Sequence, residues 1–167
     1  KKLIFYKELS LMGLNFAGFV CNRRLSDGDL AAIVGHAITA DGTASFEDAA
    51  SAFHDLQSVD VLHTESGTLG LVGMDSILSL TPSSDGDMFS FLVSDVSNTY
   101  YGQLSRDGSV VGKSVLAMGN VVEQHGDAVF TDDYEERSEL VWNYIHKWTG
   151  ISPERDLEHR ELVHFSF

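Results

Sequence analysis

Histidine, cysteine and carboxylate side chains are the groups in this chain that could do chemistry, and their spacing limits which chemistry is possible. The seven histidines are His36, His54, His63, His125, His146, His159 and His164. No pair of them has the spacing of a zinc-binding helix, and the single cysteine, Cys21, has no second cysteine with which to share a metal or a disulfide. We therefore expect no metal and no cofactor. The one alternative left open is a metal site assembled from histidines that are distant in the sequence. Cys21 is expected to be a small core residue.

Motifs for covalent catalysis and for phosphate binding are also missing. The sequence contains no GxSxG nucleophile elbow, no GxGxxG turn and no GxxxxGKS/T loop. Neighbouring carboxylates such as Asp85 and Asp87 are more often structural or solvated than an acid–base pair. We therefore predict that the protein is not an enzyme.

The segment DGTASFEDAASAF at residues 41–53 looks like the second half of an EF-hand calcium loop that runs into its exiting helix. In that alignment the ligand positions are held by Asp41, Thr43 and Ser45. However, Ala37 stands where the first aspartate belongs, and Asp48 stands where a bidentate glutamate should close the site. Because calcium requires about six or seven oxygen ligands, we expect an Asp-Gly turn and a serine-capped helix here instead.

Carboxylates crowd the entrance of the last predicted helix, in the segment GDAVFTDDYEERSELVWNYIHKWTG at residues 126–150. Asp132 can cap this helix, and acids in the first turn favour the helix dipole. Capping accounts for one or two of these acids, so the others are candidates for binding a partner. With two acids of an earlier loop, the predicted partner-binding residues are Asp132, Asp133, Glu136, Glu139, Asp85 and Asp87.

Two helices are predicted in the first third of the chain. Ser26 and Asp29 form a capping pattern. Helical spacing then continues, up to a turn at Asp41-Gly42, through Leu30, Ile33, Val34, Ala37 and Ile38. Ser45 and Asp48 open a second helix, whose apolar face would be formed by Phe46, Ala49, Ala50, Phe53 and Leu56.

Short apolar segments separated by Gly, Asp, Ser and Asn fill residues 59–122 and predict about five to seven antiparallel strands. Asp107-Gly108 is the clearest hairpin turn, because this pair tolerates the positive φ that such a turn requires. An apolar stripe should pack helix 133–149 on the sheet, through Val141, Tyr144, Ile145 and Trp148. The predicted fold class is α+β, with two N-terminal helices, a mainly antiparallel β-sheet and a long C-terminal helix packed on it. One domain over residues 1–167 is expected.

The charge balance is strongly acidic. Lys and Arg number 11 against 25 Asp and Glu, which gives a formal net charge of −14. Such a field repels nucleic acid and anionic membranes and attracts basic partners, although acidity can also serve solubility alone. No apolar run reaches the roughly 18 residues of a membrane-spanning helix. We expect no nucleic-acid or membrane partner, and a cytoplasmic protein.

Three short motifs lie in the last third of the chain, between Ser105 and Ile151. They are the turn Asp107-Gly108, the elbow Gly126-Asp127-Ala128-Val129, and the step Thr149-Gly150-Ile151 at the end of the acidic helix. This layout resembles bacterial immunity proteins that neutralise polymorphic toxins. The elbow of such proteins often carries a proline and a leucine, where this chain has Ala128 and Val129. The resemblance implies a protein that binds a cognate toxin and has no catalytic group of its own.

Charge and resemblance together predict an immunity, or antitoxin, protein that blocks its toxin by direct binding through an acidic surface. Many toxins act on nucleic acid or nucleotides through basic clefts, and an acidic inhibitor is steered into such a cleft. Two alternatives stay open. One is a small hydrolase or transferase with a site built from scattered His and Asp, which a pocket gathering two or more histidines with carboxylates would favour. The other is a structural or adaptor module of a phage or secretion machine.

Overall fold

One large antiparallel sheet dominates the computed structural model, which describes residues 14–130, 137–152 and 155–167. Its nine strands have the order β2-β9-β3-β4-β1-β5-β6-β7-β8. The strands are β1 Asn15–Cys21, β2 Thr39–Ser45, β3 Ser58–His63, β4 Thr68–Val72, β5 Asp87–Ser94, β6 Thr99–Arg106, β7 Ser109–Ala117, β8 Asn120–Gly126 and β9 Glu161–Ser166. The α-helices within the described ranges are α1 Asp27–Val34, α2 Phe46–Ala49 and α3 Arg137–Thr149. Short 3-10 helices span Met74–Ser79 and Leu157–His159.

The central strand β1 is buried on both faces. It pairs with β4 on one side and with β5 on the other, and every residue from Phe16 to Cys21 is buried. Because side chains alternate along a strand, Phe16 and Val20 point to one face and Phe19 and Cys21 to the other. Each face of the sheet therefore needs its own cover.

Helix α3 covers the first face. The Trp142 ring stacks on Phe16 with the ring centroids 5.6 Å apart, and Tyr144 stacks on Phe89 at 4.2 Å. The predicted apolar stripe of this helix is largely confirmed, since Tyr144 is partly buried and its other members are fully buried. Those buried members are Val141, Ile145 and Trp148.

Helix α1 covers the second face. Its predicted start is confirmed, because Ser26 and Asp29 form a reciprocal capping box. Its buried side chains, with that of Ile77 from the first 3-10 helix, join the apolar cluster on this face. The helix ends after eight residues at Gly35, which has a left-handed φ of 77°.

The predicted fold class is wrong. Six strands, β3 to β8, occupy residues 58–126, which agrees with the five to seven strands expected over residues 59–122. However, β1, β2 and β9 join them in one sheet of nine strands, and the described helices are short. The second predicted helix has only four residues, Phe46–Ala49, and the chain before it is strand β2. The predicted apolar face of that helix therefore does not form, and Phe53 and Leu56 are exposed. The last helix, α3, has 13 described residues.

One predicted hairpin and two edge strands mark the turns and margins of the sheet. The hairpin predicted at Asp107-Gly108 is confirmed, with φ values of 49° and 84° between β6 and β7. The edge strand β2 pairs with β9 through a register shift between Ala40 and Thr43. At the other edge, β8 carries Val121 and Val122 with 64% and 61% of their surfaces exposed.

The packing of α3 on the sheet gives a first prediction. Ile145 has no exposed surface, so Ile145→Ala should lower the free energy of unfolding by about 2–5 kcal/mol, through lost burial and an unfilled cavity. Lys147→Ala, on the exposed side of the same helix, is the matched control and should change it by no more than about 0.5 kcal/mol. Urea unfolding followed by tryptophan fluorescence measures both. Equal effects of the two substitutions would contradict the packing of α3 described above.

Candidate functional site

The predicted partner-binding acids do not form one surface among the described residues. Asp85 is exposed, and Asp87 and Glu139 are half-buried. Asp132, Asp133 and Glu136 lie outside the described residues.

Helix α3 separates Glu139 from the other two described acids. The helix runs in the same direction as β1, because Trp142 stacks on Phe16 while the backbone after Trp148 lies beside the Cys21 carbonyl, next to Gly67. Glu139 lies near the start of this helix, about ten residues or ~15 Å from its end. Asp87 is hydrogen-bonded to Asn22, beyond the end of β1. Glu139 and the Asp85–Asp87 loop therefore lie towards opposite ends of the sheet.

Asp87 already has a structural partner. Its Oδ1 lies 3.1 Å from Nε of Arg106 on the neighbouring strand, and the Arg106 side chain is 62% exposed. An exposed pair of this kind contributes little to stability. The Asp85 backbone carbonyl accepts a hydrogen bond from Arg23 at 2.9 Å, so this loop is anchored by its backbone while the Asp85 carboxylate faces solvent.

Five exposed acids lie on strand β2, in helix α2, in the loop before β3 and at the start of β9. We call them the edge carboxylates, and they are Asp41, Glu47, Asp48, Asp55 and Glu161. None of the five makes an ion pair with a described Lys or Arg. Sequence reasoning placed Asp41 in an Asp-Gly turn and Asp48 in a helix cap. The structure places Asp41 on strand β2 instead, whereas the cap is confirmed, because the Ser45 hydroxyl accepts the backbone N–H of Asp48 at the start of helix α2.

Two histidines and a carboxylate meet inside the sheet, on β3, β9 and the loop before β3. Asp60 lies directly opposite His164 in the pairing of β3 with β9. The Asp60 Oδ1 is 2.6 Å from Nδ1 of His164, and its Oδ2 is 2.6 Å from Nε2 of His54. The side chains of His54 and Asp60 are 3% and 4% exposed, and that of His164 is 28% exposed. We call these three residues the His–Asp–His cluster.

The contacts of His54 fix its charge. Its Nε2 faces the Asp60 carboxylate, and its Nδ1 lies 2.8 Å from the carbonyl oxygen of Asp55. Both partners can only accept, so both ring nitrogens donate and His54 is an imidazolium. Burial pushes the pKa of His54 down, but the hydrogen bonds and negative charges of Asp60 and Asp55 outweigh it and leave that pKa raised.

The same contacts act on Asp60 in the opposite sense. Burial pushes the pKa of Asp60 up, but hydrogen bonds from His54 and His164 outweigh it and leave that pKa lowered. Asp60 is therefore a buried carboxylate whose two oxygens are both occupied. The cluster ties the loop of His54 and the strand of His164 to β3.

This cluster is a poor metal site but could orient a base. Within residues 14–130, 137–152 and 155–167, no group of three or more His, Cys, Asp or Glu side chains could hold a metal ion. His164 is held at Nδ1 by a carboxylate and is partly exposed, as a general base requires. However, no hydroxyl or thiol in the described part of the chain is hydrogen-bonded to its other nitrogen.

Sequence reasoning missed the cluster, although one sign of it was present. Asp60 stands in the middle of SVDVLH, an apolar strand, and a buried carboxylate requires partners. Its partners could not be named, because His164 lies 104 residues away. Cys21 is buried, as predicted, and burial raises the pKa of its thiol to about 12, so it stays protonated and unreactive at neutral pH.

Comparisons with known proteins add no relative to this description. No protein-family model, no curated protein and no solved structure matches the chain. In the described ranges, the helices are too short or too polar for any of them to cross a membrane.

The His–Asp–His cluster predicts how stability depends on pH. Because the pKa of His54 is raised in the folded protein, protonated His54 stabilises the fold. This contribution to the free energy of unfolding is complete below 6.5, the pKa in the unfolded chain, and is lost as the pH rises through the pKa in the folded protein. The lowered pKa of Asp60 means that its contribution is complete above 3.8 and is lost as pH falls through its folded value. The contribution of His54 to the free energy of unfolding should therefore fall from pH 6 towards pH 9.

The variant His54→Gln should be less stable at pH 6 and should lose most of this alkaline decline, because it has no proton to release. His125→Gln, which changes an exposed histidine at the β8 edge, is the matched control and should keep the wild-type profile. Urea unfolding at pH 5, 6, 7, 8 and 9 provides the measurement. An alkaline decline that is as steep in His54→Gln as in the wild type would show that the His54 imidazolium is not its source.

Proposed function

We propose that this protein is a non-enzymatic immunity protein, which acts in the cytoplasm and neutralises a bacterial toxin by binding it through an acidic surface. The observation that carries the proposal is the excess of carboxylates over basic side chains. Only three ion pairs join a described Lys or Arg to a described Asp or Glu. The chain has 25 acids against 11 Lys and Arg and a net charge of −14, so acids far outnumber the cations that could pair with them.

The physical argument concerns what such a surface attracts. Toxins that act on nucleic acid or nucleotides bind phosphate in basic clefts, and a carboxylate surface can occupy the same sites. An inhibitor of this kind needs a stable fold and no catalytic group. The large sheet, covered on both faces, supplies a rigid support for surface charges.

A hydrolase is the second candidate, and the His–Asp–His cluster favours it. The cluster gathers two histidines around one carboxylate, and His164 is oriented as a base would be. The argument is weaker, because Asp60 is shared with the buried His54 imidazolium and is therefore already neutralised. If the cluster serves chemistry, His164→Asn should abolish a hydrolytic activity that the wild-type protein has. If it serves only the fold, the substitution should change stability alone.

The first test of the immunity proposal uses the protein encoded immediately upstream of the gene for this chain. That neighbouring protein should prevent growth when it is expressed alone and should be harmless when it is expressed together with this chain. The two proteins should purify as one complex at low salt. A neighbour that is not toxic, or whose toxicity this chain leaves unchanged, would contradict the proposal.

Charge reversal then tests which acids bind. We expect the triple variant Asp133→Lys, Glu136→Lys and Glu139→Lys to weaken toxin binding, because interfacial carboxylates typically contribute about 2–5 kcal/mol when buried, and less at the rim. The loss should shrink as salt rises, since salt screens the steering field. Calorimetric titration at 50 and 300 mM NaCl measures the affinity, and thermal unfolding checks the fold.

The matched control reverses three edge carboxylates, with Asp41→Lys, Glu47→Lys and Asp48→Lys. It makes the same change in net charge at the β2 edge. If the control variant alone weakens binding, the toxin binds the edge carboxylates and the predicted partner-binding residues are wrong. If neither variant weakens binding at low salt, binding through an acidic surface is wrong.

A further inference from the structure

A polar pocket of about 480 Å³ lies at the end of the sheet where β3 turns into β4, beside the C-terminal end of α3. The turn contributes His63, Thr64 and Glu65 to its wall. Arg24 enters from the loop between β1 and α1, and Arg160 enters from the short segment before β9. Four separate parts of the fold thus converge on this pocket, which we call the arginine pocket.

The two arginines bring positive charge to one site on a strongly acidic protein. Both side chains are exposed, and neither makes an ion pair with a described acid. By contrast, Arg23, the neighbour of Arg24, is bound to Asp29 and Ser83. A guanidinium at the wall of a pocket can donate several hydrogen bonds in one plane.

Two acids, Asp156 and Glu65, also line the arginine pocket, and their surroundings differ. The Asp156 carboxylate accepts the backbone N–H of Ser152 at 3.0 Å, so one of its oxygens is occupied within its own turn. Glu65 is exposed in the β3–β4 turn and also lines the pocket. The wall of the pocket therefore carries donors from two arginines and the Ser66 hydroxyl beside the carboxylates of Glu65 and Asp156.

His63 forms a fixed and neutral part of the wall. The Thr68 hydroxyl donates to the Arg23 carbonyl at 3.1 Å and accepts the N–H of Leu25 at 2.9 Å. The Nδ1 of His63 lies 3.3 Å from that hydroxyl oxygen, so Nδ1 is the donor of this contact. Burial lowers the pKa of His63, and the positive charge of the nearby Arg24 lowers it further. The His63 ring is therefore neutral at pH 7.

We propose that the arginine pocket binds the phosphate group of a small phosphorylated ligand, held by Arg24 and Arg160. Two guanidiniums offer more donors than one carboxylate can accept, whereas the oxygens of a phosphate can accept from both. The volume of the pocket leaves room for a group attached to the phosphate. A nucleic acid strand is excluded by the net charge of −14, which repels a polyanion far beyond the pocket. This site is independent of toxin binding.

The test uses inorganic phosphate, AMP and adenosine as probes. ¹⁵N-labelled protein is titrated with each probe at constant ionic strength, and amide shifts are followed by NMR. We expect saturable shifts of Thr64, Glu65 and Ser66 with phosphate, tighter binding of AMP, and no saturable shift with adenosine. Shifts with adenosine equal to those with AMP would overturn the proposal, as would no saturable shift with phosphate and AMP.

Variants then assign the site. The double variant Arg24→Gln and Arg160→Gln should bind AMP at least tenfold more weakly than the wild type. Arg155→Gln, which removes an exposed arginine that does not line the pocket, is the matched control and should bind AMP as the wild type does. Thermal unfolding shows whether each variant is folded. Unchanged AMP binding in the double variant would overturn the proposal, and so would an equal loss in Arg155→Gln.

Discussion

Strand β1 lies between β4 and β5 at the middle of the sheet, and from Phe16 to Cys21 it has no solvent-exposed face. Each fully buried side chain of this size contributes about 1.5–3 kcal/mol when it leaves water. A strand with apolar residues on both faces is stable only if something covers both faces. Helix α3 covers one face and α1 covers the other, so the layered fold follows from this strand. The close fit extends to β4, where a Cβ on Gly70 would lie 2.3 Å from the Phe19 ring.

The His–Asp–His cluster is the exception within this apolar interior. Taking a carboxylate and an imidazolium out of water costs several kcal/mol for each ion, and only good hydrogen-bond geometry offsets that loss. The cluster meets this condition, because both oxygens of Asp60 and both ring nitrogens of His54 have partners. An apolar replacement could hold these elements together as well, but it would not fix the loop of His54 in one position. The cluster therefore specifies one arrangement of the loop and the two strands.

The sequence allowed prediction of features that depend on near neighbours. The Ser26–Asp29 capping box, the Asp107-Gly108 turn and the apolar stripe of α3 all involve residues a few positions apart. It did not allow prediction of β2, because the strand TADGTAS is exposed along almost its whole length and has no apolar alternation. Pairing with β9, about 120 residues later, makes it a strand. The same limit applied to the candidate site, whose Asp60 and His164 meet only through the pairing of β3 with β9.

The two edge strands of the sheet, β2 and β8, differ in how readily they could pair with a strand of another molecule. At β2 the register shift and Asp41 interrupt the row of free backbone groups, which discourages another strand from pairing there. At β8 the exposed Val121 and Val122 form a short apolar margin, which is followed by the polar residues Glu123, Gln124 and His125. Such a margin is a template for aggregation. Mutual repulsion between molecules that each carry a net charge of −14 opposes this contact. The acidity of the chain thus protects its own β8 edge, and colloidal stability depends on ionic strength because salt weakens that protection.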